Sequence, residues 1–260
     1  LDKNDLAIFA DYYFFEFSRI DFEHLMRKCL CKKIGIGFDD EYLLPSSLYL
    51  ASFMNGWFTF DLLTYEYMRQ LGMNVFINPH PVYVEDDNLE PFEYIYDVAF
   101  IGNISNFKKD RKTFLELIAK AYPNNFIPGL SGQYLSFSEM NNAVRKSRIN
   151  LNLTTISSTN PYQINLPYFD IRYGFKGRPF EIGGLGGFCL SEYSPSIESF
   201  LKTKEHIDYF SNIEDALSKI KFYLDNNSVR TNISKNLYKW VTKNCGKNSV
   251  NNLFAKRSEE

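Results

Sequence analysis

The sequence predicts an α/β protein of two units in series, each a parallel sheet covered by helices. Three observations carry this. Short apolar runs suited to buried strands alternate with stretches of helical spacing along most of the 260 residues. The alternation is interrupted at residues 79–90, where Pro79, His80 and Pro81 stiffen the chain and an acidic, non-periodic run follows, the best linker in the sequence. Charge changes sign across that break: residues 1–92 hold 7 Lys and Arg against 15 Asp and Glu, residues 93–260 hold 22 against 16, and the halves carry −8 and +6. This asymmetry suits two lobes with different ligands, the basic one matched to a phosphorylated molecule; a solvated charged surface would give the same count.

The first half reads as strand, helix, strand, repeated. Residues 6–9 form a short apolar run, and Phe22, Leu25, Met26 and Cys29 recur at helical spacing. Residues 32–38, KKIGIGF, read as a buried strand that stops at Asp39, Asp40 and Glu41. In an open α/β sheet that is the end where ligands bind, so these carboxylates suit a base or a hydroxyl-orienting group. Capping the following helix needs the same residue types. Residues 56–60 are the next strand, 61–70 a helix opened by Asp61 and closed by Gly72, and 73–77 a further strand. A doubly wound unit ordinarily has five or more strands. About four are legible before residue 92, and the chain starts at Leu1 rather than Met, which is read as missing amino-terminal material. His80, held between two prolines, is read either as a group reaching a cleft or as a structural hinge histidine.

The second half opens with a strand over 97–101, followed by Gly102 and Asn103 and a helix over 107–121. That helix carries Lys108, Lys109, Arg111 and Lys112 in its first turns, where cations oppose the dipole unless they face an anion or are tolerated by solvent and Asp110. A short strand at 126–127, a helix over 137–146 with a serine cap, and a strand over 148–153 come next; on that strand Ile149, Leu151 and Leu153 share one face and Asn150 and Asn152 the other. Residues 154–173 lack periodicity, a length that marks a functional or flexible loop. Strands at 187–191 and 207–210 and helices over 212–224 and 229–244 complete the chain.

The loop delivers the chain to FKGRPFEIGGLGGFCLSEYS, residues 175–194. Lys176, Gly177 and Arg178 precede Pro179 at a first helical turn, so two cations and free backbone N–H groups converge on one point, an anion site suited to phosphate. Glu181 follows one helical turn on, where it can bind hydroxyls of whatever carries that phosphate. A phosphate with a diol indicates a nucleotide. An i,i+3 ion pair between Arg178 and Glu181 is the competing explanation.

Composition excludes several classes. At 45% hydrophobic and 17% aromatic residues, with a net charge of −2, the chain is globular rather than disordered. Its basic residues are scattered among acidic ones, which argues against nucleic acid. No run reaches the roughly 18 apolar residues of a membrane span. The charged LDKNDLAIF start is unlike a signal peptide. Cys29, Cys31, Cys189 and Cys245 have no metal-ligand spacing and read as buried thiols in a reducing, cytoplasmic setting; no metal site is expected.

The run FKGRPFEIGGLGGFCLSEYSPSIESFL, followed by HIDYFSNIEDALSKIKFYL, resembles the C-terminal domain of GT-B glycosyltransferases, in particular the bacterial subgroup related to the spore maturation protein CgeB. GFDDEY, NGWFTFDLLTYEYMRQLGMNVFINPHPV and FIGN extend the likeness over residues 32–245. The resemblance implies two Rossmann-like domains facing a cleft: a partial acceptor-side domain over 1–92, a nucleotide-sugar domain over 93–228, and a C-terminal helix and tail over 229–260 that crosses back. It implies transfer of a hexosyl group from a UDP- or GDP-type sugar to a glycan, lipid-linked or protein acceptor in polysaccharide biosynthesis. A lipid-linked acceptor would bring the chain to the inner membrane face as a peripheral partner. No cofactor beyond the donor is implied, and no oligomeric state.

By the same resemblance Glu181 matches the second carboxylate of an E-x7-E pattern that holds the donor ribose, while Tyr173 stands where the first is expected, so stereochemistry does not carry over. Asp170 is the nearest acidic residue upstream. Sugar transfer builds oxocarbenium character on the sugar and negative charge on the departing diphosphate. Lys176, Gly177 and Arg178 suit the diphosphate, with Gly102, Asn103 and Arg111 as helpers, and Asp39 and Asp40 suit the acceptor as catalytic base or binding group. Tyr134 lies near where a base would stack by analogy, and an aromatic there suits a core equally. A two-lobed binding protein, or a degenerate transferase that holds nucleotide without turnover, is the alternative.

Overall fold

The computed structural model describes residues 5–10, 19–38, 40–82, 84, 93–104, 109–154 and 174–246. They divide into two compact units, one ending at Asn78 and the other beginning at Pro79, the first proline of the Pro-His-Pro stretch.

The first unit is a four-stranded parallel sheet in the order β1-β2-β3-β4. Its strands are β1 (Leu6–Ala10), β2 (Lys32–Ile36), β3 (Gly56–Thr59) and β4 (Val75–Ile77), joined by α1 (Arg19–Lys28), α2 (Asp40–Ala51) and α3 (Leu62–Gln70). Right-handed crossovers that step always in one direction put all three helices on one face. There Phe22 of α1 meets Tyr49 of α2 and Phe53 just beyond it, with ring centroids 6.1 and 5.5 Å away. The register sets Gly35 beside Trp57, and a Cβ at Gly35 would lie 2.2 Å from the indole, so this glycine makes the space in which Trp57 is buried. α2 bends at Leu43, just before Pro45, which has no N–H to continue the helical ladder. Asp61 caps α3: its carboxylate accepts from the Thr64 N–H at 2.9 Å and the Thr64 hydroxyl at 2.8 Å.

The second unit is a five-stranded parallel sheet in the order β6-β5-β7-β8-β9. Its strands are β5 (Tyr96–Ala99), β6 (Asn125–Phe126), β7 (Ser147–Asn152), β8 (Cys189–Glu192) and β9 (Asp208–Phe210). The helices are α4 (Lys109–Ala121), α5 (Phe137–Arg145), α6 (Arg178–Gly184), α7 (Pro195–Glu198), α8 (Ile213–Asp225) and α9 (Asn227–Cys245). On one face Ile149, Leu151 and Leu153 pack with Leu115 and Ile118 of α4 and Ala216, Ile220 and Tyr223 of α8. The other face of β7 carries Asn150 and Asn152, both buried and both bonded: Asn150 Nδ2 donates to the Val144 and Phe188 carbonyls, and Asn152 Nδ2 to Ser191 Oγ at 2.9 Å. The alternation read from RINLNL therefore separates two buried environments, apolar and hydrogen-bonded, rather than core and solvent. The strand and helix order follows the sequence reading; α7 and a 3-10 turn at Pro128–Ser131 are additions to it.

Candidate functional site

Because all strands of the second unit are parallel, their carboxyl ends share one edge. The chain steps from β5 to β6 on one side and then returns past β5 to β7 on the other, so the carboxyl ends of β5 and β7 flank a topological switch point, where open α/β sheets bind ligands.

Arg111 ties the two sides of that point together. Its Nη1 donates to the Asn103 carbonyl at 3.1 Å, its Nη2 to the Leu153 carbonyl at 3.2 Å, and its guanidinium lies 5.8 Å from the Phe100 ring centroid. A cation in the first turn of α4, unfavourable against the dipole, is thus matched to two strand-end carbonyls. Gly102 sits where a Cβ would come within 2.8 Å of the Phe100 ring, and a Cβ at Gly129 would lie 3.1 Å from the Gly102 carbonyl. Gly129 thus lets the loops after β5 and β6 lie together, while Gly102 makes room for the Phe100 ring. Asn103 is exposed beside them.

The network continues across β7 and β8. The Thr154 N–H donates to Glu192 Oε2 at 2.7 Å, its hydroxyl donates to the Tyr193 carbonyl at 3.0 Å, and its carbonyl accepts from the Gly174 N–H at 3.0 Å. Ser194 Oγ donates to the Gly174 carbonyl at 3.4 Å. Gly174 is thereby pinned to both strand ends, and the chain leaves it for Lys176, Gly177 and α6. Thr154 and Glu192 do this positioning; the signal for them in the sequence is only a polar residue at the end of each apolar strand.

At the start of α6 the Arg178 guanidinium and the Glu181 carboxylate meet at 2.7 Å, with side chains 27% and 41% exposed. The i,i+3 pair exists, and both groups stay open to solvent. His80 lies over the same turn. A Cβ at Gly177 would fall 2.9 Å from its imidazole, and the ring stacks on Phe175 with centroids 6.3 Å apart and planes at 24°. The glycines downstream serve packing. A Cβ at Gly183 would lie 2.8 Å from Leu237 and Val241 of α9, and one at Gly187 2.9 Å from Ile182; Gly186, at φ 74°, turns the chain out of α6.

Gly102, Asn103 and Arg111 therefore form one group and Lys176, Gly177, Arg178 and Glu181 another, linked through Leu153, Thr154 and Gly174 on one sheet edge. Tyr134, 97% exposed, follows the Pro128–Ser131 turn after β6, with the exposed Phe137 beyond it. Asp40 is the first residue of α2, in the first unit. Asp39, Lys108, Asp170 and Tyr173 lie outside the described residues. Among the described residues no group of three or more His, Cys, Asp or Glu could hold a metal ion, and no helix is long and apolar enough to cross a membrane.

Three comparisons place this architecture. Among solved structures, sucrose-phosphate synthase from Thermosynechococcus elongatus matches 98% of this chain and 73% of its own, with a TM-score of 0.67 at 9% identity. HepE from Anabaena, solved with UDP-glucose, matches 88% of this chain and 72% of its own, with a TM-score of 0.61 at 10% identity. The pneumococcal O-GlcNAc transferase GtfA, solved with UDP and GlcNAc, matches 100% of this chain at a TM-score of 0.62 and 10% identity, and this chain spans 57% of its length. At these identities the likeness is one of fold: the two Rossmann-like units have the GT-B arrangement of strands and helices. No curated protein matches the sequence. A family model described as glycosyl transferase-like matches residues 96–245, from the first residue of β5 to the last of α9. The chain belongs to the glycosyl transferase-like family.

Proposed function

We propose that this chain transfers a sugar from a nucleoside diphosphate sugar of the UDP or GDP type to a glycan, lipid-linked or protein acceptor. The observation that carries the proposal is that the family match runs from β5 to α9, the sheet and helices of the second unit, whose switch point is the strand-end network just described. In this reading Lys176 and Arg178 neutralise the diphosphate as it departs, with the Gly177 turn beside them. Glu181, oriented by Arg178, accepts hydrogen bonds from the ribose hydroxyls. Gly102 and Asn103 border the other side, and Arg111 holds that loop to β7 as a positioning residue. Tyr134 offers an exposed ring for the base. Asp39 and Asp40, from the first unit, take the acceptor proton or bind the acceptor. Side-chain cations carry the charge neutralisation, so the proposal includes no metal. Within the family we place the chain nearest the CgeB-related bacterial subgroup, acting in cell-surface polysaccharide synthesis from the cytoplasm.

One observation favours a second reading, binding without turnover: Tyr173 stands where the first carboxylate of the E-x7-E pattern is expected. A donor-hydrolysis assay separates the two. Slow release of free sugar from UDP- or GDP-sugars without acceptor, reduced in Asp39→Asn or Asp40→Asn while donor affinity holds, is the expected result. Donor binding with no release would support the second reading. Full activity in both aspartate variants would remove the acidic loop from the mechanism.

A further inference from the structure

Cys29 and Cys31 leave α1 with only Leu30 between them, and the bend before β2 brings their sulfurs to 2.8 Å of each other. A disulfide needs ~2.05 Å, so covalent closure requires a shift of less than an ångström at this point. The two thiols are unequal. Cys29 is half-buried, whereas Cys31 is 2% exposed. Lys33 Nζ donates to the Cys29 carbonyl at 3.1 Å and the Cys31 carbonyl at 3.4 Å, which holds an ammonium in the same turn. The hydrogen bond from the Cys31 thiol lowers the pKa of Cys29, the Lys33 charge adds to this, and the same contact raises Cys31. One sulfur is thus an accessible, thiolate-prone nucleophile, and the other waits behind it as a resolving partner. Cys189 and Cys245 are the opposite case. Both are buried; burial pushes Cys245 to about 12 and Cys189 well above the ordinary thiol range.

We propose that Cys29 and Cys31 form a reversible dithiol–disulfide site that exchanges with small disulfides such as oxidised glutathione. The Cys29 thiolate attacks one glutathione sulfur; the glutathione S–S bond breaks, one glutathione leaves as thiolate, and a mixed disulfide forms. Cys31 then gives its proton to solvent and attacks Cys29 Sγ, and the second glutathione leaves. Two protein thiols are oxidised and one glutathione disulfide is reduced to two thiols. The pair precedes the amino end of β2, whereas residues 39 and 40 follow its carboxyl end. It is therefore separate from the residues assigned to transfer.

The test is to incubate the reduced protein with oxidised glutathione, alkylate with N-ethylmaleimide under denaturing conditions, digest with trypsin and weigh the peptide spanning 29–32. The expected result is a peptide short of two hydrogens and without maleimide, while Cys189 and Cys245 are fully alkylated. The Cys31→Ser variant should accumulate glutathione on Cys29, and Cys29→Ser should take up little on Cys31. A wild-type peptide carrying two maleimides, or one glutathione and one maleimide, overturns the proposal. So does a Cys31→Ser protein that takes up no glutathione.

Discussion

Arg178 and Glu181 hold each other at 2.7 Å on the first turn of α6, so a change at either is felt by both. Glu181→Ala is expected to weaken nucleotide affinity by about 1–3 kcal/mol through loss of a charged hydrogen bond, with the melting temperature little changed because the pair is open to solvent. Titration calorimetry with the cognate nucleotide checks this; unchanged affinity with a lowered melting temperature would reduce Glu181 to a structural role. Gly177 has a different constraint, the His80 imidazole 2.9 Å from any added Cβ. Gly177→Ala should cost about 1–3 kcal/mol by overpacking. Because the obstacle is a single ring, Gly177→Ala/His80→Ala should recover part of that loss in a double-mutant cycle. Strict additivity would show that the ring is not what requires glycine there.

At the scale of elements, α6 owes its placement to Gly183, which admits Leu237 and Val241 of α9 to within 2.8 Å of its missing Cβ. Gly183→Val should therefore lower stability by about 1–3 kcal/mol, read from chemical denaturation, by prising the two helices apart. The segment leading into β9 is expected to respond to pH through His206. Burial holds the His206 imidazole below its ordinary 6.5, and its Nδ1 accepts from the Lys202 N–H at 3.2 Å, a bond that protonation of Nδ1 would break. The unfolded chain then takes the proton first, so this contribution to stability is whole above pH 6.5 and is lost as pH falls below it. His206→Gln should flatten the decline of the thermal midpoint between about pH 6.5 and 5; an equal decline in both proteins would contradict it. Element order was legible because apolar runs such as DVAFI and RINLNL are bounded by polar residues that end strands. The glycines of IGGLGG were not legible in function, since close helix contact and loop flexibility require the same residue. Neither was the role of Arg111: its carbonyl partners at Asn103 and Leu153 are 8 and 42 residues away, and no local pattern announces them. The two thiols of CLCK were legible as neighbours in sequence, but their contact depends on the bend that ends α1.

For the molecule as a whole, the family match and the switch point between β5 and β7 both fall within residues 93–260, the more basic half of the chain. In the proposed function, donor binding falls to the second unit and the acceptor to residues of the first. The most direct test of the assignment is the thermal midpoint of the purified protein against UDP-, GDP-, CMP- and dTDP-sugars, each measured on wild type and on Glu181→Ala. The expected result is a saturable rise with one nucleotide class that is reduced in the variant. No rise with any of the four would contradict it.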